Sequence, residues 1–347
     1  MKKKSVSIII GLTLVVLSAG IFGTSILSQA KTIELSLAHT IPPQIPFGKL
    51  TQQWADMVAE KTNNQVKINI YWGESLLKAA EFYRGVQTGQ TDITYYVVGL
   101  DWGLMPLNMF SKLAFMGYPS MEVGTEIYQK IWEKFPEIRN EFQNVKVYGT
   151  EMSPPNHLHF TKTAVKVPED IKGMKIIALG GTMAEEMAKM GAAPMDIKVG
   201  DLYMSLERGL AEGVSIHYPV IHGFGILKLV PYHTEFPGGT IMSVDMLLFN
   251  QKSWDKLPAD VQKVFLELEP WYAEQVIKMN TGYINMVKGM AKEMGHQIYQ
   301  PTAEEMKLWR QAVQPVHEKW IADTEAKGLP ARAVYEEAKR LIKEYEK

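Results

Sequence analysis

The sequence predicts an α/β protein of two lobes followed by a helical C-terminal third. Three observations carry that expectation. Strand-like and helix-like hydrophobic periods alternate three times before residue 98. The pattern returns, less regularly, between residues 145 and 250. From Pro258 onward the chain keeps a helical period almost to its end. The length, 347 residues, accommodates about two domains at roughly 150 residues each.

In the first block, Ile33, Leu35 and Leu37 alternate with polar residues, the period of a strand. Phe47 to Lys61 reads as a helix, with Leu50, Trp54, Met57 and Val58 on one face. Val66, Ile68, Ile70 and Trp72 alternate again. Leu76 to Thr88 reads as helix and Asp92 to Val98 as strand. Such short β-α-β-α-β spacing favours a parallel, doubly wound sheet. In the second block, Val145–Glu151, Met174–Leu179, Val214–His217 and Ile241–Asn250 read as extended. Helices are expected over Thr182–Met190, with Thr182 and Glu185 as a capping box, and over Val199–Leu210. Pro270 is expected to kink or break the C-terminal helical run. Thr302, with Glu305 three residues on, restarts it as an N-cap. Gly328-Leu-Pro330 sets off the last helix.

Composition excludes several chemistries. The chain has 37 basic and 38 acidic side chains, 46% hydrophobic and 22% charged residues. That balance excludes a polybasic nucleic-acid binder. There are no cysteines, which excludes disulfides, thiolate metal sites and cysteine nucleophiles. Arginine is scarce: Arg84, Arg139, Arg208, Arg310, Arg332 and Arg340 are the complete set. Arginine is the usual bidentate clamp for carboxylates.

The N-terminus reads as an address. Lys2, Lys3 and Lys4 precede an apolar run from Ile8 to Leu17, and Ser28-Gln-Ala30 places small residues before a cut at Lys31. This is the pattern of a secretory signal peptide; an uncleaved anchor is the alternative. Cleavage removes three lysines and leaves 34 basic against 38 acidic groups. The mature protein is expected to be soluble, outside the cytoplasmic membrane.

Catalytic motifs are absent: no G-x-S-x-G, H-E-x-x-H, P-loop or G-x-G-x-x-G occurs. His157 and His159 would share one face of a strand, where they either serve a metal or make hydrogen bonds. No supporting ligand stands at a local spacing, so no metal, cofactor or catalytic residue is expected. Gly180-Gly181-Thr182 joins a strand to a helix start, either as an anion-binding turn or as a plain turn with a cap. Tyr71-Trp72, Tyr95-Tyr96, Trp102, Tyr218 and Trp271-Tyr272 offer flat faces with polar handles.

Four segments, in order, resemble one family. Val66–Thr94 is similar to a strand, loop, leucine, helix and Q-x-G-x-x-D segment of the DctP-type substrate-binding proteins of TRAP (tripartite ATP-independent periplasmic) transporters. Val167–Ile177 resembles their P-E-D-L-K-G-x-K-I-R. Asp201–Val214 resembles Y-x-A-L-x-x-G-x-x-D-G, and Leu248–Phe265 resembles N-x-x-x-W-x-x-L-P-x-x-x-Q. The resemblance implies a periplasmic-binding-protein clamshell with hinge strands and a long C-terminal helix spanning both lobes. Residues 31–150 with about 241–270 would form lobe I. Residues 151–240 with about 271–347 would form lobe II and the C-terminal helices.

The implied function is capture of a small molecule, usually an organic acid and here possibly aromatic, by hinge closure. The closed form would deliver it to the membrane subunits of a TRAP permease. No nucleic acid is involved, and the chain would act as monomer or homodimer. The alternatives are a component that presents ligand to a sensor, and a periplasmic enzyme using a histidine base. The expected ligand contacts are His39, Thr40, Tyr96, Val97, Trp102, His157, Ile177, His217, Tyr218 and Phe236; of these, His39, Thr40, Tyr96, Val97, His157, Ile177 and His217 are carried over from the family by position. The family's hallmark arginine, which pairs with the substrate carboxylate, falls on Ile177. Either His157, His217 and backbone N–H groups near Gly180 replace that clamp, or the ligand is not a simple carboxylate.

Overall fold

A computed structural model of the chain describes residues 32–99 and 103–345. The expected signal peptide and Trp102 lie outside the described residues.

The first block folds as read. Strand β1 (Ile33–Ala38), helix α1 (Pro46–Lys61), strand β2 (Val66–Tyr71), helix α2 (Phe82–Thr88) and strand β3 (Ile93–Val97) follow in order. Pro46 opens α1, where a missing N–H costs nothing. Between residues 98 and 145, where the sequence reading assigns no element, stand α3 (Met121–Lys134) and α4 (Pro136–Asn140). Ser120 caps α3 by accepting from the Val123 N–H. Strand β4 (Val145–Met152) completes this part.

The second block holds β5 (His157–Phe160), β6 (Lys175–Ala178), α5 (Gly181–Lys189), β7 (Ala193–Met195), α6 (Leu202–Glu207), β8 (Gly213–Ile216), α7 (Tyr218–Gly223) and β9 (Tyr232–Thr234). Helix α5 starts one residue before the expected capping box. Its N-cap is Gly180, at φ 92°, and no side chain caps it. That φ is open to glycine and strained for other residues, so Gly180, not Thr182, sets the turn.

The rest is β10 (Val244–Asn250), α8 (Gln251–Asp255), α9 (Ala259–Glu293), β11 (Gln297–Tyr299), α10 (Ala303–Glu325) and α11 (Ala331–Tyr345). Helix α9 runs unbroken through Pro270, against expectation. Proline frees the carbonyl four residues earlier; Leu266 is 47% exposed, so water can serve that group. Thr302 and Glu305 form the expected capping box.

Two sheets result. The first has the order β2-β1-β3-β10-β4 and the second β11-β9-β5-β8-β6-β7. The first is not the all-parallel sheet expected: β10 enters antiparallel between β3 and β4. It arrives from the other lobe, so it meets β3 from the opposite direction.

The lobes are joined by two crossing segments that pair with each other. Ser153 N–H donates to Ser243 O at 2.8 Å, Asn156 N–H to Ile241 O at 2.9 Å and Thr240 N–H to Asn156 O at 2.7 Å. Gly239 lies so close to this ribbon that a Cβ there would stand 2.8 Å from the Asn156 carbonyl. Helix α9 spans both lobes, packing on α1 and β4 of the first and on α7 of the second.

Candidate functional site

A cavity of about 100 Å³ lies between the lobes. It opens at the carboxyl ends of β1 and β3, where open α/β sheets bind ligands. Phe47 and Tyr95 of the first lobe face Pro219, Val220 and Phe224 of the second, and Met279 and Tyr283 of α9 close the side. His217, Asn280 and Asp245 are polar members of the lining, and no lysine or arginine is among its described residues.

The first-lobe wall is built on a ring stack. His39 lies over Tyr95 with centroids 4.9 Å apart and planes 8° apart. The His39 Nδ1 accepts from the Ile41 N–H at 2.9 Å, so Nε2 carries the proton toward Thr51 Oγ1 at 3.3 Å. Burial pushes His39 down to about 3, so the ring is neutral and positions Tyr95. Tyr95 Oη in turn donates to Asp245 Oδ2 at 2.6 Å. Ser243 Oγ donates to Asp245 Oδ1 at 3.1 Å. Burial pushes the Asp245 carboxyl up to about 7, against these hydrogen bonds and the nearby Lys112 charge.

Asp245 has an acidic neighbour. Glu151 pairs with it across β4 and β10. Glu151 is buried and neither carboxyl oxygen has a hydrogen bond. Burial, then the Asp245 charge, holds its pKa far above the usual range. Lys112 is half-buried nearby. Burial pulls its pKa down, while the charges of Asp245 and Glu186 hold it up. Glu186 is itself buried, accepts from the Ala114 N–H at 2.7 Å, and is pushed up to about 8 by burial.

The second-lobe side is built on imidazoles. His159 Nε2–H donates to the Ile216 carbonyl at 3.0 Å, which leaves its Nδ1 bare. That atom stands 2.7 Å from His233 Nδ1, and His233 Nε2 stands 3.0 Å from His296 Nδ1. The sole consistent assignment is a directed chain of neutral rings, His296 to His233 to His159. Beside it, Glu235 accepts from Tyr218 Oη at 2.7 Å and pairs with Lys288 at 2.8 Å. Burial alone would raise Glu235; the Lys288 and Tyr218 hydrogen bonds outweigh it and hold its pKa below the usual value.

The expected contacts divide by position. His217 lines the cavity and starts α7, its Nδ1 accepting from the Val220 N–H at 3.4 Å. His39 stacks behind the wall, and Val97 pairs with Asp245 on the neighbouring strand. Thr40 is half-buried and is not among the lining residues. Tyr96 points the other way from Tyr95, into the first-lobe core beside Tyr83. His157 accepts from the Phe236 N–H at 3.2 Å and packs 5.8 Å from Tyr218. Phe236 belongs to the core around Phe115 and Trp309.

Ile177 is fully buried among Leu202, Leu206 and Val214. Burial pushes His157 and His217 down to about 4, so neither is a standing cation at neutral pH. Asp245 is the site residue that the sequence reading misses. Its relation to Tyr95 depends on strand pairing across 150 residues, for which no local motif exists.

The profile of bacterial extracellular solute-binding protein family 7, DctP, matches residues 37–323. The C4-dicarboxylate-binding periplasmic protein DctP of Rhodobacter capsulatus is 23% identical over 331 residues, covering 88% of this chain and 92% of the relative. A TRAP solute-binding protein from Rhodoferax ferrireducens, solved with copurified benzoate, superposes with a TM-score of 0.82. It is 19% identical and covers 91% of this chain and 99% of its own. A marine metagenome TRAP protein specific for aromatic acids, solved with 3-hydroxybenzoate, also superposes at 0.82, with 21% identity and 91% and 99% coverage.

Proposed function

The chain belongs to bacterial extracellular solute-binding protein family 7, and from that premise we propose that it captures a small organic acid in the periplasm and delivers it to a TRAP-type permease. Its relatives include a C4-dicarboxylate-binding protein and proteins solved with benzoate and with 3-hydroxybenzoate. Its role is binding, with no chemical turnover.

The single observation that carries this reading is the aromatic cavity formed jointly by both lobes and α9. A solute there bridges Tyr95 and Phe47 on one side to His217 and Phe224 on the other. It therefore binds the closed arrangement more tightly than an open one and shifts the population toward it. Residues 31–150 with about 241–270 act as one body. Residues 151–240 with about 271–330 act as the other, with the Ser153–Asn156 and Thr240–Ser243 ribbon as hinge; α11, expected with this body, packs on α3 of the first. His217 touches the solute directly. His39, Val97, His157 and Tyr218 support the walls, and Tyr96, Ile177 and Phe236 hold the cores behind them.

A thermal-shift panel of aliphatic and aromatic acids tests the reading. A true ligand raises the melting temperature with the logarithm of its concentration above Kd. Uptake into vesicles carrying the permease subunits should then require this protein. Melting temperatures unmoved by every acid would count against the organic-acid class.

A further inference from the structure

We infer that the organic acid bound here also carries a cationic nitrogen, and that Asp245 is the residue that selects for it. This rests on the organic-acid reading above and refines its chemical class.

Asp245 is the carboxylate among the described lining residues, and none of them is basic. Tyr95 and Ser243 fix its two oxygens with one hydrogen bond each. A carboxylate has about four acceptor positions, so acceptor capacity remains. Phe47, Tyr95, Phe224 and Tyr283 line the same cavity. Aromatic faces are negative and attract cations, the more so when desolvated. Glu151, opposite Asp245 on the next strand, has no hydrogen bond, and burial with the Asp245 charge holds its carboxyl neutral. Asp245 and the ring faces of this lining therefore favour a positive group. A bare carboxylate placed here would meet a second carboxyl group and ring faces.

The acid end follows from the organic-acid reading. Among the described lining residues no lysine or arginine competes with a ligand's cation for Asp245.

Matched probes decide the question. In calorimetric titrations of the wild-type protein, phenylalanine is compared with 3-phenylpropionate, which lacks the ammonium, and phenethylamine, which lacks the carboxylate. Glycine betaine is compared with its carbon isostere 3,3-dimethylbutanoate and with tetramethylammonium. In at least one set the zwitterion is expected to bind tenfold or more tighter than its acid, a preference that Asp245→Asn abolishes. Asn keeps the shape and the Tyr95 acceptor, and the wild-type comparison needs no variant at all. Acids that bind as tightly as their zwitterions overturn the inference and leave the organic-acid reading standing. Cations that bind as tightly as the zwitterions overturn the organic-acid reading, and the inference with it. Silence of all six probes also overturns it.

Discussion

The two lobes each bury a carboxylate beside the cleft, and they treat it in opposite ways. In the second lobe, Glu235 receives Tyr218 and an ion pair to Lys288, and its pKa falls. In the first lobe, Asp245 receives two neutral hydroxyl donors, faces Glu151, and its pKa rises to about 7. Burying a charge is costly unless it is paired. Glu235 is paired within the protein, so it is structural. Asp245 lacks an internal cation in contact, which leaves that part to a ligand. The basic residues follow the same division. Arg332 and Arg340 bind Glu318, Glu337 and Glu344 on the surface helices, away from the cavity.

The harshest way to break the comparison is to add an unpaired charge to the second lobe. Ile177→Arg puts a guanidinium among Leu202, Leu206 and Val214. It should destabilise the fold by about 3–5 kcal/mol, read as a lower urea midpoint. Stability within about 1 kcal/mol of wild type would mean that the side chain escapes to the cleft and that position 177 borders the ligand. Lys288→Met should cost less, about 2 kcal/mol, because Lys288 is partly exposed and water can reach the abandoned Glu235. A double variant with Glu235→Gln should recover most of that loss.

The pH profile sharpens the contrast without large damage. His157 and His217 titrate at 6.5 when unfolded and at about 4 when folded, and His233 at about 3. The folded state binds fewer protons over that window, so stability climbs as pH rises toward 6.5. Asp245 shifts from 3.8 to about 7, and Glu186 from 4.5 to about 8. Here the folded state holds more protons, so stability falls as pH rises through those windows. The histidines outnumber the acids below their shared limit, which places maximum stability of the empty protein near about pH 6.5. Asp245→Asn removes a fall that spans pH 3.8 to about 7, so it should steepen the rise on the acid limb and leave the fall above about pH 7.5, carried by Glu186, alone. An unchanged acid limb in denaturant melts at pH 4.5, 5.5 and 6.5 would show that Asp245 is ionised throughout.

The smallest effect belongs to the outer end of the imidazole chain. His296→Ala removes the donor to His233 Nε2. At a half-exposed position, where water can replace it, the loss should stay below about 1 kcal/mol. A larger drop in the thermal midpoint would mean that the chain acts as one cooperative network.

What the sequence determined by itself is local. The alternation of β1, α1, β2 and β3, the Thr302–Glu305 cap and the Gly328–Pro330 break each depend on neighbours a few residues apart. Periodicity and capping report that range. The four family segments fixed the two-lobe class in the same local way. Tertiary structure decided the rest. Pro270 stays helical because its freed carbonyl lies on an exposed stretch, which periodicity does not encode. Gly180 replaces Thr182 as the cap because the turn needs a positive φ. Strand β10 comes back antiparallel, and that return sets Asp245 against Tyr95, 150 residues away in sequence. Residue types alone place no charge next to another over that distance; the sheet order does, and with it the character of the cleft.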